Sequence, residues 1–148
     1  MKTLAFTGTR AGLTPEQTQV LYEIFENAKK TGYNTLLNGC AVGADQDVVV
    51  ILNTLNGFHL IGYPSNLIQQ QSKYALDCCE LAYKPADPLK RNHKMVDAAD
   101  YLIAAPKQYT EPGATRCGGT WATIRYARKM KKTVIIVWPN GIIKVDHD

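Results

Sequence analysis

Gly118-Gly119-Thr120 stands between an apolar run, Leu102 to Pro106, and a helical pattern that carries Trp121, Ile124 and Ala127. Glycines at such a junction leave backbone N–H groups facing outward at the positive end of a helix dipole, which suits a bound anion. The chemistry indicated is capture of a phosphate-bearing ligand. Other small-residue turns follow other apolar runs: Gly8-Thr9-Arg10, Gly39-Cys40 with Gly43-Ala44-Asp45, and Tyr63-Pro64-Ser65. Gly8, Thr9, Gly39 and Gly43 would let backbone come close to a ligand, and Arg10 and Arg91 could hold phosphate through two parallel N–H bonds. Arg10 also suits a surface ion pair. Asp45 suits a helix N-cap or first-turn acid, and as a ligand contact it would bond a ribose hydroxyl. Trp121 suits either stacking on a base or packing in the core.

Those turns need elements to hold them. Thr3 to Thr7 predicts a first buried strand, and Thr14-Pro15-Glu16-Gln17 predicts a capped helix start with a reciprocal Thr14–Gln17 box. Val20, Leu21, Ile24, Phe25 and Ala28 continue at helical spacing to Gly32. Strands are predicted at Thr35–Gly39, His59–Pro64, Leu102–Pro106 and Thr133–Pro139, with helices at Asp45–Leu55, around Arg91, and at Thr120–Lys132. Leu67–Leu76 reads as a helix, Cys79–Lys84 as a short strand, and the tail from Asn140 as a hairpin remnant or edge extension. Strand runs that are continuously apolar and alternate with helices predict a parallel sheet covered on both faces. The expected architecture is one doubly wound α/β domain, Rossmann-like, over residues 1–148. Its ligand would lie beyond the carboxyl ends of the strands, where these turns converge.

Bulk properties narrow the function classes. With 148 residues, 45% apolar and 20% charged, the chain can bury a real core. The net charge of +4 is too small to argue for nucleic acid, and Arg125, Arg128, Lys129, Lys131 and Lys132 read as a solvated helix end. Neither G-x-G-x-x-G nor a Walker pattern is present, which disfavours a conventional NAD enzyme or ATPase. Cys40, Cys78, Cys79 and Cys117 lack zinc-ligand spacing, and His59 and His93 read as structural. No metal or cofactor is expected. No apolar run approaches the roughly 18 residues of a membrane span, and the first strand starts too early for a signal peptide. The expectation is a cytoplasmic protein with reduced thiols.

The spacing Arg91-x-x-x-Met95, Asp100, Leu102-Ile103-Ala104-x-Pro106, then Gly118-Gly119-Thr120, resembles the SLOG superfamily of Rossmann-like proteins. That group includes LOG cytokinin-activating phosphoribohydrolases, the DNA-processing protein A fold, molybdenum-cofactor carriers and ligand-sensing domains of phage-defence systems. The likeness covers most of the chain and is nearest to small phage and bacterial members with the run found here from Gly119 to Arg128. It implies that Arg91 is the site arginine, which in the enzymes works with a glutamate to cleave a nucleoside 5′-monophosphate at its N-glycosidic bond. It also places Asn92 and Pro106 at the site. Asn92 stands where the enzymes have lysine, the glutamate's place falls at or near Thr123, and Lys107 to Cys117 interrupt the usual Pro-Gly-Gly turn. The resemblance further implies self-association into a homo-oligomer.

Glycoside cleavage needs a carboxylate to steady an oxocarbenium-like centre or activate water. Glu111, Asp45 and Asp97 are the replacements within the chain. The expectation is therefore a protein that binds a nucleotide or nucleotide-derived ligand as a sensor, carrier or sequestering protein. An N-glycosidase acting on nucleoside monophosphates or ADP-ribose-like compounds is the alternative, with Arg91 catalytic. Single-stranded DNA binding is a third class, which would ask for a stronger basic groove.

Overall fold

The apolar run at the N-terminus pairs on both sides. In the computed structural model, which describes residues 2–113 and 118–146, β1 (Thr3–Gly8) lies parallel to both β2 (Thr35–Asn38) and β5 (Tyr101–Ala105). The register sets Phe6 beside Asn38 on one flank and Ile103 on the other. β3 (His59–Gly62) and β4 (Leu81–Ala82) extend the sheet beyond β2, and β6 (Thr133–Val137) extends it beyond β5. All these strands are parallel. β7 (Ile143–Asp146) turns back antiparallel on β6, giving the order β4-β3-β2-β1-β5-β6-β7.

Side chains alternate across each strand, so the two faces bury different sets. Leu4, Phe6, Leu36 and Ile103 pack with α1 (Pro15–Lys30), α2 (Ala44–Leu55) and α3 (Lys73–Cys78) through Leu21, Phe25, Val48, Leu52 and Ala75. Ala5, Leu37, Leu102, Val134 and Ile136 pack with α4 (Pro88–Ala98) and α5 (Gly119–Lys129) through Met95, Val96, Trp121, Ile124 and Ala127. This is a single α/β domain of Rossmann-like, doubly wound form. The chain leaves β1 for β2 on one side and returns to β5 on the other, so the switch point lies between β1 and β5.

The predicted capping box is present: Gln17 N donates to Thr14 Oγ1 and Thr14 N donates to Gln17 Oε1, both at 3.0 Å. Gln17 also donates through Nε2 to the carbonyls of Pro106 (2.9 Å) and Val137 (3.0 Å), tying the start of α1 to the ends of β5 and β6. The helix expected at Leu67–Leu76 is instead a 3₁₀ turn (Ile68–Gln70) followed by α3. Long-range bonds interrupt it: Val42 N donates to Gln70 O at 2.8 Å and Ser72 N to Cys40 O at 2.8 Å, while Ser72 Oγ caps α3 at Ala75 N. The strand expected at Cys79–Lys84 shrinks to Leu81–Ala82, the pair that meets β3. Among the described residues no helix is long and apolar enough to cross a membrane.

Candidate functional site

The loop after β1 and the entry to α2 are built against each other. Thr9 N donates to Ala105 O at 3.1 Å, and Thr9 O accepts from Ala44 N at 2.9 Å. Gly43 has φ +93, and any side chain there would collide with the backbone of Arg10. Gly43 is thus what allows the two turns to touch. Gly8 is also a packing residue, since a Cβ would lie 2.6 Å from Ala44 Cβ and 2.9 Å from the Phe6 ring.

Arg91, on the first turn of α4, reaches across to two strand ends. Its Nη1 donates to Gly39 O at 2.7 Å, beyond β2, and to Tyr63 O at 3.0 Å, beyond β3. Gly39 makes the crossing possible: a Cβ there would sit 2.5 Å from Arg91 Nη1 and 2.8 Å from Asp45 Oδ2. Arg91 is only 8% exposed, and its Nε–H is buried without a hydrogen-bond partner among the described residues. An unpaired buried N–H costs about 1–3 kcal/mol, so it asks for an acceptor that the described residues do not supply. Burial lowers the Arg91 pKa; Asp45 and Cys40 oppose the shift, and Arg10 adds to it.

Asp45 is held in the same corner. Its Oδ2 accepts from Ala41 N at 3.1 Å and its carbonyl accepts from Asn38 Nδ2 at 3.2 Å. Burial pushes its carboxyl up to about 6, against the pull of Arg91 and the Ala41 amide. The N-cap of α2 is Gly43, so Asp45 is a first-turn acid that serves the loop in front of it and not the cap.

These groups open on one cavity of about 550 Å³ at the β1–β5 switch point. Gly8, Thr9, Arg10, Asp45, Arg91, Asn92, Gly118, Gly119, Thr120 and Trp121 all line it. Gly39, Gly43 and Pro106 do not; they stand behind the wall, the first two spacing loops and Pro106 O accepting from Gln17. Among the described residues no side chain caps α5 at Gly118, and a Cβ added at Gly118 or Gly119 would meet none of them within 4 Å. None of the described residues demands glycine there, and the room beside them lies at a helix N-terminus.

The wall also holds residues that the sequence reading did not single out, among them Gln70, Leu89, Lys107 and Gln108. Lys107 and Gln108 begin the inserted segment. Trp121 Nε1 donates to Gln108 Oε1 at 3.1 Å, so the Gln108 amide nitrogen is the end left to donate elsewhere. Trp121 itself is 1% exposed and tilted against Trp138 at 5.7 Å, so it packs in the core at the cavity wall.

The three candidate carboxylates separate cleanly. Glu111 is held outside the cavity by Arg125 and Arg128, with Arg128 Nη1 at 2.9 Å. Asp97 accepts from Tyr126 OH at 2.7 Å on the exterior. Asp45 is the only carboxylate on the wall among the described residues. Thr123, near the place of the enzymes' glutamate, is buried and donates to Gly119 O at 2.8 Å within its own helix. The basic end of α5 is likewise less solvated than expected: Arg128 pairs with Asp146 at 2.7 Å as well as with Glu111, and its guanidinium lies over the Trp121 ring. His59 meets an exposed carboxylate, Glu80, at 2.7 Å, and His93 stacks on Tyr126 at 3.7 Å. Cys117 lies outside the described residues. Among the described residues no group of three or more His, Cys, Asp or Glu is placed to hold a metal.

No family model and no curated protein matches the chain. Solved structures do. The molybdenum cofactor binding protein from the phototrophic bacterium Rippkaea orientalis superposes with a TM-score of 0.68 at 21% identity, over 93% of this chain and 76% of its own. The X-ray structure of TM1055, a structural-genomics target, superposes with a TM-score of 0.63 at 20% identity, over 90% of this chain and 72% of its own. At these identities the likeness is one of fold.

Proposed function

We propose that this chain is a SLOG-type protein that binds a phosphorylated nucleotide or nucleotide-derived ligand in the switch-point cavity. The observation that carries the reading is Arg91, buried and without a partner for its Nε–H among the described residues, on a wall shared with the N-terminus of α5. Arg91 is fixed by two carbonyls before any ligand arrives, so binding would not have to order it. With Arg10 and Lys107 on the same wall against one carboxylate, an anion is the natural occupant. The volume suits a small ligand, since such sites run to roughly 300–1,000 Å³. That one structural neighbour binds a molybdenum cofactor, as its name states, agrees with a ligand at this place in the fold.

The test is a thermal-shift screen of mononucleotides, dinucleotides, cyclic nucleotides and ADP-ribose variants. A ligand at about 100 times its Kd adds roughly 2.7 kcal/mol, a rise of several degrees for a chain of this size. A panel without any shift would end the proposal.

Asp45 favours a second reading, hydrolysis of an N-glycosidic bond, because a carboxyl with a pKa of about 6 is matched to acid–base work near neutral pH. The first reading expects little or no free base from AMP incubated with micromolar protein. Brisk release that is lost in both Arg91→Ala and Asp45→Asn would exchange the two.

A further inference from the structure

Two thiols meet directly behind the cavity. Cys40 Sγ and Cys79 Sγ are 3.4 Å apart, one from the turn after β2 and the other from the end of α3. Both sulfurs lie over Gly62 of β3, where a Cβ would be 2.9 Å from Cys79 Sγ and 3.0 Å from Cys40 Sγ. The bare glycine is what leaves room for the pair. Cys40 is fully buried, whereas Cys79 is partly exposed. Cys78 points elsewhere and accepts from Asn53 Nδ2 at 3.4 Å on α2.

We propose that Cys79 and Cys40 form a peroxide-oxidised modification site, Cys79 being the attacking thiol and Cys40 the resolving one, and that the resulting disulfide loosens ligand binding in the neighbouring cavity. The second half of this statement rests on the nucleotide-binding reading; the first does not. The Cys79 thiolate attacks one peroxide oxygen, the O–O bond breaks, and hydroxide leaves to be protonated to water. Cys40 gives up its proton and attacks the sulfenic sulfur, forming S–S and expelling a second hydroxide that leaves as water. Two thiols and one hydrogen peroxide thus become one disulfide and two waters. Cys79 is the less buried of the two, and the hydrogen bond between the sulfurs holds its thiol below the usual pKa against burial, which agrees with Cys79 as the nucleophile.

The link to the cavity is covalent. Cys40 stands between Gly39, whose carbonyl anchors Arg91, and Ala41, whose N–H anchors Asp45. Its own N–H is fixed by Asn38 Oδ1 at 2.6 Å, and its φ is +53, a left-handed conformation that leaves little slack. Closing the sulfurs to a bond of about 2 Å draws this turn toward α3 by on the order of 1 Å. That pull acts on the carbonyl holding Arg91 and on the amide holding Asp45 together.

The experiment treats the reduced full-length protein with one equivalent of hydrogen peroxide, then maps peptides by mass spectrometry. The expected product is an intramolecular Cys40–Cys79 link that a dithiol reverses. Cys78→Ser should leave it intact and Cys79→Ser should abolish it. Cys40→Ala should stop at a Cys79 sulfenic acid, which a 1,3-dione probe captures. Over-oxidation of Cys79 without a disulfide in the parent protein, or a link through Cys78 or Cys117, would overturn the site. Hydrogen exchange over residues 36–47 reads the coupling without any ligand, and faster exchange is expected in the oxidised form. An AMP titration should then show binding about five-fold or more weaker after oxidation, and equal affinity would overturn the regulatory half. If AMP fails to bind even reduced protein, AMP is not the ligand; the peptide map still decides the thiol pair.

Discussion

Arg91 and Asp45 set opposite problems that one ligand would solve. Arg91 carries a buried donor that no described residue pairs, and Asp45 carries a carboxyl whose pKa burial pushes up to about 6. The Asp45 cost appears in stability. Its native pKa exceeds the unfolded value of 3.8, so the native state binds the extra proton and stability falls as pH rises from about 4 to about 6. Above that range the full penalty, on the order of 2–3 kcal/mol, persists. Asp45→Asn should therefore raise Tm over the parent at pH 7.5, with the gain gone near pH 4; a gain independent of pH would show that the carboxyl does not titrate this way. For Arg91 the measurement is affinity. Losing a charge-assisted phosphate contact removes about 1.5–3 kcal/mol, so Arg91→Ala should weaken binding by roughly ten-fold or more in a calorimetric titration. Arg128→Ala should leave binding unchanged, because Arg128 is occupied with Asp146 and Glu111 away from the cavity. Arg91→Lys, which keeps the charge without the Nε–H, separates the fork from the charge. Equal affinity in Arg91→Ala would reduce Arg91 to a tie between α4 and the ends of β2 and β3.

Elements with strong local reasons were legible in the sequence, and elements held by distant bonds were not. Thr14-Pro15-x-Gln17 is a start signal complete within one turn, and α1 begins there. Leu67–Leu76 has helical composition, yet Gln71 is extended and bridged to Ala41, thirty positions earlier. No periodicity encodes such a partner. The site followed the same division. The glycine turns and Arg91 stand out by type and spacing, whereas Gln108 enters through a bond to Trp121, and Gly39 matters through what it keeps out. That exclusion is a prediction about the turn between β2 and α2. Gly39→Ala forces a methyl group between Arg91 and Asp45, and overpacking of this kind costs about 1–3 kcal/mol. Denaturant titration should show that loss, and ligand binding should fall with it because both anchors shift. Normal stability together with normal binding would mean that the turn has another conformation open to it.

Across the whole molecule, the sheet divides the core so that one layer lies beneath the cavity and part of the other lies far from it. Phe25 meets Phe58 edge-on at 5.9 Å just before β3 begins, at the amino edge of the sheet, opposite to the carboxyl ends that form the site. Trp121 sits on the first turn of α5, packed under the cavity wall and bonded to Gln108. Neither Phe25 nor Phe58 lines the cavity, and registry between β1, β2 and β5 is fixed by buried side chains on both faces. Stability and binding should therefore separate. Phe25→Ala should cost about 3–5 kcal/mol from lost burial and the cavity left behind, yet at a temperature where the variant is folded its ligand affinity should match the parent's. Trp121→Phe keeps most of the apolar volume and removes the donor to Gln108. Its stability loss should be nearer 1 kcal/mol, with the larger effect on affinity. Denaturation curves and titrations of the two variants form a crossed comparison. The expected pattern is a large stability loss with intact binding for Phe25→Ala and the reverse for Trp121→Phe. Should Phe25→Ala weaken binding in proportion to its stability loss, the cavity would be an expression of global packing and not a locally built site at the switch point.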